Sequence, residues 1–290
     1  MSKKCMFFNR LADGSVRCTL CPRQCHIANS KHGLCGSRRN EGGELVSDVY
    51  ARPCALAIDP IEKKPLAMFM PGTQCLSVAC TGCNLRCLYC QNHDISQVLP
   101  GDVPSDECTP RQLVELAERY HCPSIAYTYT EPLTWYEFTY DTARLAHEHK
   151  LKNVLVTAGY INEEPARRMA EVTDAANIDL KSFSDEIYVR MNGAHLQPVL
   201  NTIKIFCEAQ VHVELTNLLI PNVNDSHAMI KDMCQWLVSQ GMSQVPLHFT
   251  GFFPRYKWLN TEPTPLATLH DARHIAVEMG MKHVFLGNVT

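Results

Sequence analysis

The sequence has no long hydrophobic run and no excess of one charge. Met1 to Leu20 lack the uninterrupted apolar core and the small-residue cleavage site of a signal peptide, and no later segment approaches the roughly 18 apolar residues of a membrane span. The net charge of -3 gives the chain no bulk attraction for nucleic acid or for an anionic membrane. These absences predict a soluble, cytoplasmic protein that binds neither partner.

The chain is long and apolar enough for a full core, and it is rich in cysteine. Its 290 residues are 46% hydrophobic. Fifteen cysteines would indicate disulfides in a small secreted domain, but in a cytosolic chain of this length they indicate metal or redox chemistry. Eight of them form two groups: Cys18, Cys21, Cys25 and Cys35, then Cys80, Cys83, Cys87 and Cys90. Most of the other seven are expected to be small buried hydrophobic residues.

Downstream of the second group, β-rich runs alternate with segments of helical period. The predicted strands are Gln74 to Ala79, Ser124 to Thr130, Asn153 to Ala158, Asn177 to Leu180, Val211 to Ile220, Val245 to Phe249 and His283 to Gly287. The predicted helices are Pro110 to Tyr120, Trp135 to His149, Glu163 to Thr173, Val199 to Ala209, Asp225 to Gln240 and Pro265 to Met279. This alternation predicts an α/β fold, a partial (β/α)6 barrel of the TIM type, with a flat doubly wound sheet as the alternative.

A proline-rich stretch, Ile58 to Gly72, is the expected boundary between two parts of the chain. Residues 1–72 are predicted to form a small cysteine-rich extension with its linker, and residues 73–290 the barrel.

The second cysteine group follows the first predicted strand, at the end of the barrel where such enzymes assemble their active sites. Cys83, Cys87 and Cys90 have C-x3-C-x2-C spacing. A [4Fe-4S] cluster normally takes four cysteines, so three of them leave one iron open for chemistry. The alternative is a closed zinc site that includes Cys80.

The stretch "GCNLRCLYCQN" resembles the CxxxCxxC signature of radical S-adenosylmethionine (SAM) enzymes, including the aromatic Tyr89 before the last cysteine. The resemblance implies that the three cysteines hold a [4Fe-4S] cluster whose open iron is chelated by SAM. It places Tyr89 at the cofactor. It also implies reductive cleavage of SAM to a 5'-deoxyadenosyl radical, and a low-potential electron donor such as flavodoxin or ferredoxin.

Two later segments also match that family. Glu131 lies where the family usually carries Gly-Gly-Glu-Pro, and it would accept a charge-assisted hydrogen bond from the amino group of SAM. Tyr129 and Thr130 replace the two glycines. In "NIDLKSF", Asp179 and Lys181 resemble the Asp-x-Lys of activating enzymes, with Asp179 toward the ribose hydroxyls and Lys181 toward the carboxylate of SAM. Taken singly, such residues are also common at helix starts and on surfaces.

Further stretches narrow the resemblance to one group of radical SAM proteins. "CTLCPRQC", "DPIEKKPL", "LLIPNVND" and "HFTGFFPRYK" look like the AmmeMemoRadiSam radical SAM member, a homologue of the pyruvate formate-lyase activating enzymes, over about residues 18 to 289. The group name implies companion proteins of the AMMECR and Memo families. Its members continue past "GNV" into a cysteine-bearing tail, whereas this sequence stops at Thr290, so no role of that tail is carried over.

The first cysteine group leaves two interpretations open. Cys18, Cys21, Cys25 and Cys35 would suit a closed zinc knuckle, which stabilises a segment too small for its own core. They would equally suit an auxiliary [4Fe-4S] cluster.

Three functions therefore stand as hypotheses. The first is a radical SAM oxidoreductase acting on a small molecule, since the ordered extension would narrow the barrel mouth. The second is an activase that takes hydrogen from a glycine of a partner protein, and the third is a non-catalytic iron-sulfur or zinc scaffold or sensor. Around the substrate we consider His248 and a set of aromatic residues: Tyr127, Tyr129, Phe249, Phe252, Phe253 and Tyr256.

Overall fold

The computed structural model describes residues 3–289, which contain fourteen strands and eight α-helices. The strands are Lys3–Lys4 (β1), Phe8–Arg10 (β2), Val16–Cys18 (β3), His26–Ile27 (β4), Arg38–Glu41 (β5), Glu44–Ser47 (β6), Ala55–Pro60 (β7), Gln74–Ala79 (β8), Ser124–Tyr127 (β9), Lys152–Thr157 (β10), Ala175–Asp179 (β11), His212–Leu219 (β12), Leu247–Gly251 (β13) and Val284–Gly287 (β14). The helices are His93–Ser96 (α1), Pro110–Arg119 (α2), Tyr136–Glu148 (α3), Glu163–Ala170 (α4), Asp185–Ile187 (α5), Leu196–Glu208 (α6), His227–Ser239 (α7) and Leu266–Glu278 (α8). A 3-10 turn, Ile61–Lys63, and a π-helical turn, Tyr188–Asn192, complete the elements.

Eight strands form the main sheet, in the order β14-β13-β12-β11-β10-β9-β8-β7. Strands β8 to β14 run parallel to their neighbours, with Val78 opposite Tyr127 and Tyr127 opposite Leu155. Each strand pairs with the next one in the sequence, so the order never reverses as it does in a doubly wound sheet. The predicted α/β fold is confirmed, and the sheet is consistent with a partial barrel.

The long helices connect consecutive strands of this sheet, as the alternating pattern predicts. All seven predicted strands and six predicted helices are present, with ends that differ by at most three residues. Helix α2 shows how the local sequence specifies a helix. Thr109 and Gln112 form a capping box, and Leu113 and Val114 are buried. Among residues 3–289, no helix is both long and apolar enough to cross a membrane.

The amino-terminal part contains two small antiparallel sheets, ordered β1-β6-β5 and β2-β3-β4. Their strands are two to four residues long and carry no detectable period, so the sequence does not reveal them. A buried ion pair fixes this part to helix α3. Arg38 Nη2 lies 2.7 and 2.8 Å from the two carboxylate oxygens of Glu137, and both side chains are 1% exposed.

Strand β7 joins the stretch expected to be a linker to the main sheet. Ala55–Pro60 pairs antiparallel with Gln74–Ala79 along its whole length. Pro60 is tolerated there because it ends an edge strand, where its missing amide breaks no ladder. The main sheet thus includes residues before position 73, and the division of the chain at residue 72 stays a proposal.

Glu214 holds the rest of this stretch against the sheet. Its side chain is 0% exposed and accepts hydrogen bonds from the amides of Ala67 and Met68, both at 2.9 Å. The Nε2 atoms of His212 and His248 lie 2.9 and 2.6 Å from its oxygens. Burial alone would raise the pKa of Glu214, but these bonds outweigh it and lower the pKa to about 2. His248 is therefore a partner of a buried carboxylate.

We predict that Glu214→Gln lowers the free energy of unfolding by about 2 to 3 kcal/mol, because an amide cannot accept all four bonds. Urea denaturation at neutral pH measures this loss. The matched control is Glu208→Gln at a carboxylate that is 62% exposed, where about 0.5 kcal/mol or less is expected. Equal losses in the two variants would contradict the role of Glu214.

The loss of stability in Glu214→Gln should also depend on pH. A carboxyl whose folded pKa lies below its ordinary value near 4.5 stabilises the fold above that value, and the stabilisation is lost as the pH falls. The difference between the native protein and Glu214→Gln should therefore shrink between about pH 4.5 and pH 2.

Candidate functional site

The candidate site lies at the carboxyl ends of strands β8 to β11. The loop after β8 carries the three cysteines of the C-x3-C-x2-C spacing, Glu131 follows β9, Thr157 ends β10, and Asp179 ends β11. Because neighbouring parallel strands end at the same edge of a sheet, residues far apart in the sequence meet there.

One cavity of about 300 Å³ at this edge is lined by residues from all four strand ends. Its lining includes Cys83, Cys87, Cys90, Glu131, Asp179 and Lys181. These are six of the seven residues that the sequence analysis assigns to the cluster and to SAM. The seventh, Tyr89, lines an adjoining cavity.

All three thiols line this cavity, and for Cys83 and Cys87 the setting disfavours the charged form. Burial raises the pKa of Cys83 and of Cys87, and the nearby Glu131 raises that of Cys83 further. Lys181 acts in the opposite direction on Cys87. Thiols in such a setting stay protonated until a metal replaces the proton. Three sulfur donors on one loop, beside one lysine, are a donor set that fits iron.

Cys80 is placed apart from the other three cysteines of its group. It is fully buried beside Cys54 and Cys108, whose proximity adds to the effect of burial in raising its pKa. This position weighs against a closed four-cysteine zinc site built with Cys80.

The π-helical turn Tyr188–Asn192 holds the cysteine loop from one side, and the sequence analysis did not identify it. The carbonyls of Met191 and Asn192 accept backbone hydrogen bonds from the loop. The Asn192 side-chain amide lies 3.1 Å from the sulfur of Cys87 and donates to the Tyr89 hydroxyl at 2.8 Å. Turns of this type are frequent at functional sites, but they leave no clear pattern in the sequence.

Tyr89 lines an adjoining cavity of about 320 Å³, which shares Cys87 and Cys90 with the first. Its ring is buried and makes an edge contact with Phe252, with 6.5 Å between the ring centroids. Tyr89 therefore lines the second cavity and not the first, to which Glu131 belongs.

The carboxylate of Glu131 is buried and accepts three hydrogen bonds, which leave part of its acceptor capacity free. It accepts from the hydroxyl of Thr157 at 2.5 Å, from the amide of Ala158 at 2.8 Å and from the amide of Leu133 at 3.1 Å. Burial is the largest influence and raises the pKa of Glu131 to about 7, although these hydrogen bonds oppose it. Glu131 can therefore gain or lose its proton near neutral pH.

Tyr129 lies where the related motif carries glycine, and its backbone has the left-handed conformation that glycine favours, with φ of 64°. A tyrosine in this conformation is strained and needs outside contacts to hold it. Its hydroxyl donates to Asp59, and the ammonium of Lys64 lies 4.6 Å from the centroid of its ring. These contacts keep the backbone of a glycine position despite the larger side chain.

Lys63 and Lys64 also line the first cavity, and the sequence analysis did not assign them to the site. The Lys64 side chain is 2% exposed and lies 2.7 Å from one carboxylate oxygen of Asp59, and Lys63 lies 3.0 Å from the other. The only available signal was "DPIEKKPL", one of the stretches that carry the family resemblance.

Asp179 and Lys181 form an ion pair of 2.8 Å that lines both cavities. Burial alone would lower the pKa of Lys181, but Asp179 and Cys87 outweigh it and raise the pKa above its ordinary value. A permanent positive charge thus stands next to the cysteine loop.

The second cavity continues the site toward the last strands of the sheet. It shares Cys87 and Cys90 with the first cavity, and its far wall includes Thr216, Thr250 and Asn288. Of the aromatic residues considered for a substrate chamber, Tyr129 lines both cavities. The side chains of Tyr127, Phe249 and Phe252 are buried, Phe253 is exposed, and Tyr256 stacks on His93 with 4.5 Å between ring centroids.

The first cysteine group surrounds a separate void of about 10 Å³, lined by Cys18, Cys21, Cys25 and Cys35. Burial, followed by the proximity of Cys18, raises the pKa of Cys21 to about 12. Among residues 3–289, no three His, Cys, Asp or Glu side chains stand close enough together to hold a metal ion as they are. Both cysteine groups therefore line a space without closing on a point.

The chain is similar to two kinds of known protein. It is 46% identical over 287 residues to an uncharacterized protein of Methanocaldococcus jannaschii. This alignment covers 99% of this chain and 85% of that protein. It is 23% identical over 221 residues to the pyruvate formate-lyase 1-activating enzyme of Escherichia coli K12, over 70% of this chain and 89% of that enzyme.

Among solved structures, a radical SAM methyltransferase from Sphaerobacter thermophilus superposes with a TM-score of 0.59 at 15% identity, over 98% of this chain and 76% of that one. At this identity the likeness shows the fold alone. Residues 77–237 match the family described as the Radical SAM superfamily. The span includes the cysteine loop, Glu131, Asp179 and Lys181, and the chain belongs to this superfamily.

Proposed function

We propose that the protein is a radical SAM enzyme that cleaves S-adenosylmethionine reductively with a [4Fe-4S] cluster. Membership of the superfamily implies both the cluster and SAM. The observation that carries the proposal is the single cavity in which three cysteines of one loop meet Glu131, Asp179 and Lys181. When bound, the cluster and SAM supply a 5'-deoxyadenosyl radical that removes a hydrogen atom from the substrate.

Cys83, Cys87 and Cys90 are the proposed iron ligands, which leaves one iron without a protein ligand. Two other groups support thiolates at this place. Asn192 offers its side-chain amide to Cys87 at 3.1 Å, and Lys181 lies beside the same cysteine. Such outer contacts orient ligands and offset the negative charge of a cluster.

Glu131, Asp179 and Lys181 are the proposed SAM ligands. Glu131 would accept from the amino group, because a buried carboxylate favours a charged donor. Asp179 uses one carboxylate oxygen for Lys181, so its other oxygen is available to ribose hydroxyls. Lys181 would meet the carboxylate of SAM, and Tyr89 would take part from the side of the second cavity.

The second cavity is the proposed substrate site. Its volume of about 320 Å³ is in the range of small-molecule sites, and Thr216, Thr250 and Asn288 offer uncharged hydrogen-bonding groups. These features support a small organic substrate, and oxidoreductase chemistry on it is the proposed reaction class. A low-potential flavodoxin or ferredoxin would supply the electron.

We assign the chain to the AmmeMemoRadiSam group on the stretches quoted above, with AMMECR-like and Memo-like proteins as companions. The M. jannaschii relative carries no function in its name, so the assignment rests on those stretches. The cysteine-rich part, residues 1–72, and the barrel, residues 73–290, are the proposed functional units.

The second candidate is an activase for a glycyl radical enzyme. Relatives at low identity are named for this activity, including the E. coli enzyme and a trans-4-hydroxy-L-proline dehydratase activating enzyme of Clostridioides difficile. Streptococcus suis SuiB, with a TM-score of 0.55, is described as bound to a precursor peptide. The third candidate, a non-catalytic scaffold or sensor, would have no need of Glu131 and Asp179 beside the cysteines.

We predict that the protein, reconstituted anaerobically with iron and sulfide and then reduced, converts SAM to 5'-deoxyadenosine. Cys83→Ala, Cys87→Ala and Cys90→Ala should each abolish the product, because each removes an iron ligand. Cys80→Ala is the matched control and should retain bound iron and activity. Chromatography of the nucleoside and iron analysis measure both.

Two outcomes would contradict parts of this proposal. Loss of activity in Cys80→Ala equal to that in the three other variants would favour a closed four-cysteine site. A glycine-centred doublet in electron paramagnetic resonance, formed on a partner protein only with this protein and SAM, would replace the small-molecule substrate by the activase.

We also predict that SAM affinity depends on the protonation of Glu131. Since its pKa is about 7, the carboxyl is mostly charged at pH 8 and mostly neutral at pH 6. The contribution of Glu131 to SAM affinity should fall about tenfold between these two values. Anaerobic equilibrium binding to the native protein and to Glu131→Gln measures it as the ratio of the two dissociation constants, which cancels the titration of SAM itself. A ratio that does not change with pH would move this role to another residue.

A further inference from the structure

The void at the first cysteine group is far smaller than the cavity at the second. Cys18, Cys21, Cys25 and Cys35 line about 10 Å³, which admits one water-sized sphere, whereas the cavity at the second group has about 300 Å³. An iron-sulfur cubane, with its several iron and sulfide ions, would have to displace the buried side chains around this void. A single ion needs only that the four thiols turn toward one point.

The surroundings of the void suit a closed thiolate site. Four cysteines without an open position are the ligand set of structural zinc. The guanidinium of Arg38 also lines the void and lies 3.9 Å from the sulfur of Cys18. Arg38 is 1% exposed and held by Glu137, so its charge is fixed where four thiolates would place negative charge.

We propose that Cys18, Cys21, Cys25 and Cys35 bind one divalent ion of the zinc type, and that this site positions the loop of Cys83, Cys87 and Cys90. The first half stands on the residues of the first group alone. The second half rests on the function proposed for the second group.

Two arginines tie the groups together in opposite directions. Arg23 lies between Cys21 and Cys25 in the sequence, and its Nε donates to the carbonyl of Asn84, next to Cys83, at 3.1 Å. Its terminal nitrogen also donates to Gly193, at the end of the π-helical turn. The first contact connects the first group to the cysteine loop itself, and the second connects it to the turn that holds this loop.

Arg86 makes the reverse connection. It lies between Cys83 and Cys87 and donates to the carbonyl of Leu34, the residue before Cys35. Its other terminal nitrogen donates to the carbonyl of Cys83 at 2.8 Å. An ion that fixes Cys35 therefore also fixes the carbonyl that orients Arg86.

The two groups are in direct backbone contact at Gly82. A Cβ atom on this residue would lie 2.4 Å from the carbonyl oxygen of Cys35, and its φ is 101°, so glycine is required twice over. Beside it, the hydroxyl of Ser37 donates to the carbonyl of Thr81 at 3.1 Å. Gly82, which precedes Cys83, thus packs against Cys35, one of the four residues that would bind the ion.

Metal analysis of the full-length protein tests whether the first cysteine group binds an ion. After anaerobic reconstitution, the native protein should carry about one zinc ion per chain in addition to its iron. The variant that lacks Cys83, Cys87 and Cys90 should keep the zinc and lose the iron, whereas Cys25→Ser should lose the zinc. The control Cys207→Ser, at a partly buried cysteine on α6 outside both groups, should change neither.

Three results would contradict the bound zinc ion. The variant without Cys83, Cys87 and Cys90 could retain iron and sulfide, the native protein could lack zinc, or Cys25→Ser could retain zinc. If Cys25→Ser does not fold, cobalt replaces zinc in the native protein, and the absorption bands of tetrahedral cobalt thiolate are expected. Their absence would overturn the proposal as well. Because zinc is counted without SAM, a failure here is separate from a failure to cleave SAM.

Arg23→Ala tests the positioning role, because it keeps all four thiols. Zinc should stay near one ion per chain, while the reduced cluster should show altered g-values and lose iron to a chelator about tenfold faster. Arg23→Lys, which keeps one donor, should recover part of the loss, and Arg17→Ala at an exposed arginine of β3 is the matched control. Unchanged g-values and iron loss in Arg23→Ala would overturn the positioning role, even if SAM cleavage itself is normal.

Discussion

Three thiol groups around one cavity set the constraint on which the rest of the site depends. Burial raises the pKa of Cys83 and Cys87, so without a metal these two thiols remain neutral and do not stabilise the arrangement electrostatically. Positive charge is what makes the arrangement favourable. Lys181 supplies a small part of it, and iron would supply most of it.

The loop that carries the thiols has no regular structure of its own between β8 and α1, and it is held from outside. On one side, carbonyls of the π-helical turn Tyr188–Asn192 accept hydrogen bonds from backbone amides of the loop. On the other side, Arg23 of the amino-terminal part donates to the loop, and Arg86 of the loop donates to the amino-terminal part. Tyr129 shows the same principle at the next strand, because its left-handed backbone is kept by Asp59 and Lys64. Function at this edge depends on packing from segments distant in the sequence.

This dependence explains what could be predicted from the sequence. The alternation of strands and helices gives the parallel sheet, and parallel strands bring Glu131 and Asp179 to the cysteine loop without any knowledge of side-chain contacts. Strand β7 was missed because Pro60 and the following prolines indicate a linker. Asn192, Lys64 and Arg23 were missed because their roles come from tertiary contacts, which leave no period and no motif.

The size of the cavities at the two cysteine groups likewise has no counterpart in the cysteine spacing. C-x2-C-x3-C and C-x3-C-x2-C are similar as patterns, yet one surrounds about 10 Å³ and the other about 300 Å³. The difference comes from the partners of each loop: Arg38 and Asn84 fill the space at the first, and the open strand ends leave it free at the second.

In the proposed enzyme, one iron of the cluster at Cys83, Cys87 and Cys90 is open to SAM. Electron paramagnetic resonance of the reduced, reconstituted protein, recorded without and with SAM, tests it most directly. A ligand bound to the cluster changes its g-values, so a shifted spectrum on addition of SAM is expected in the native protein and in Cys80→Ala. An unchanged spectrum at saturating SAM would mean that no iron is open, and it would contradict the account.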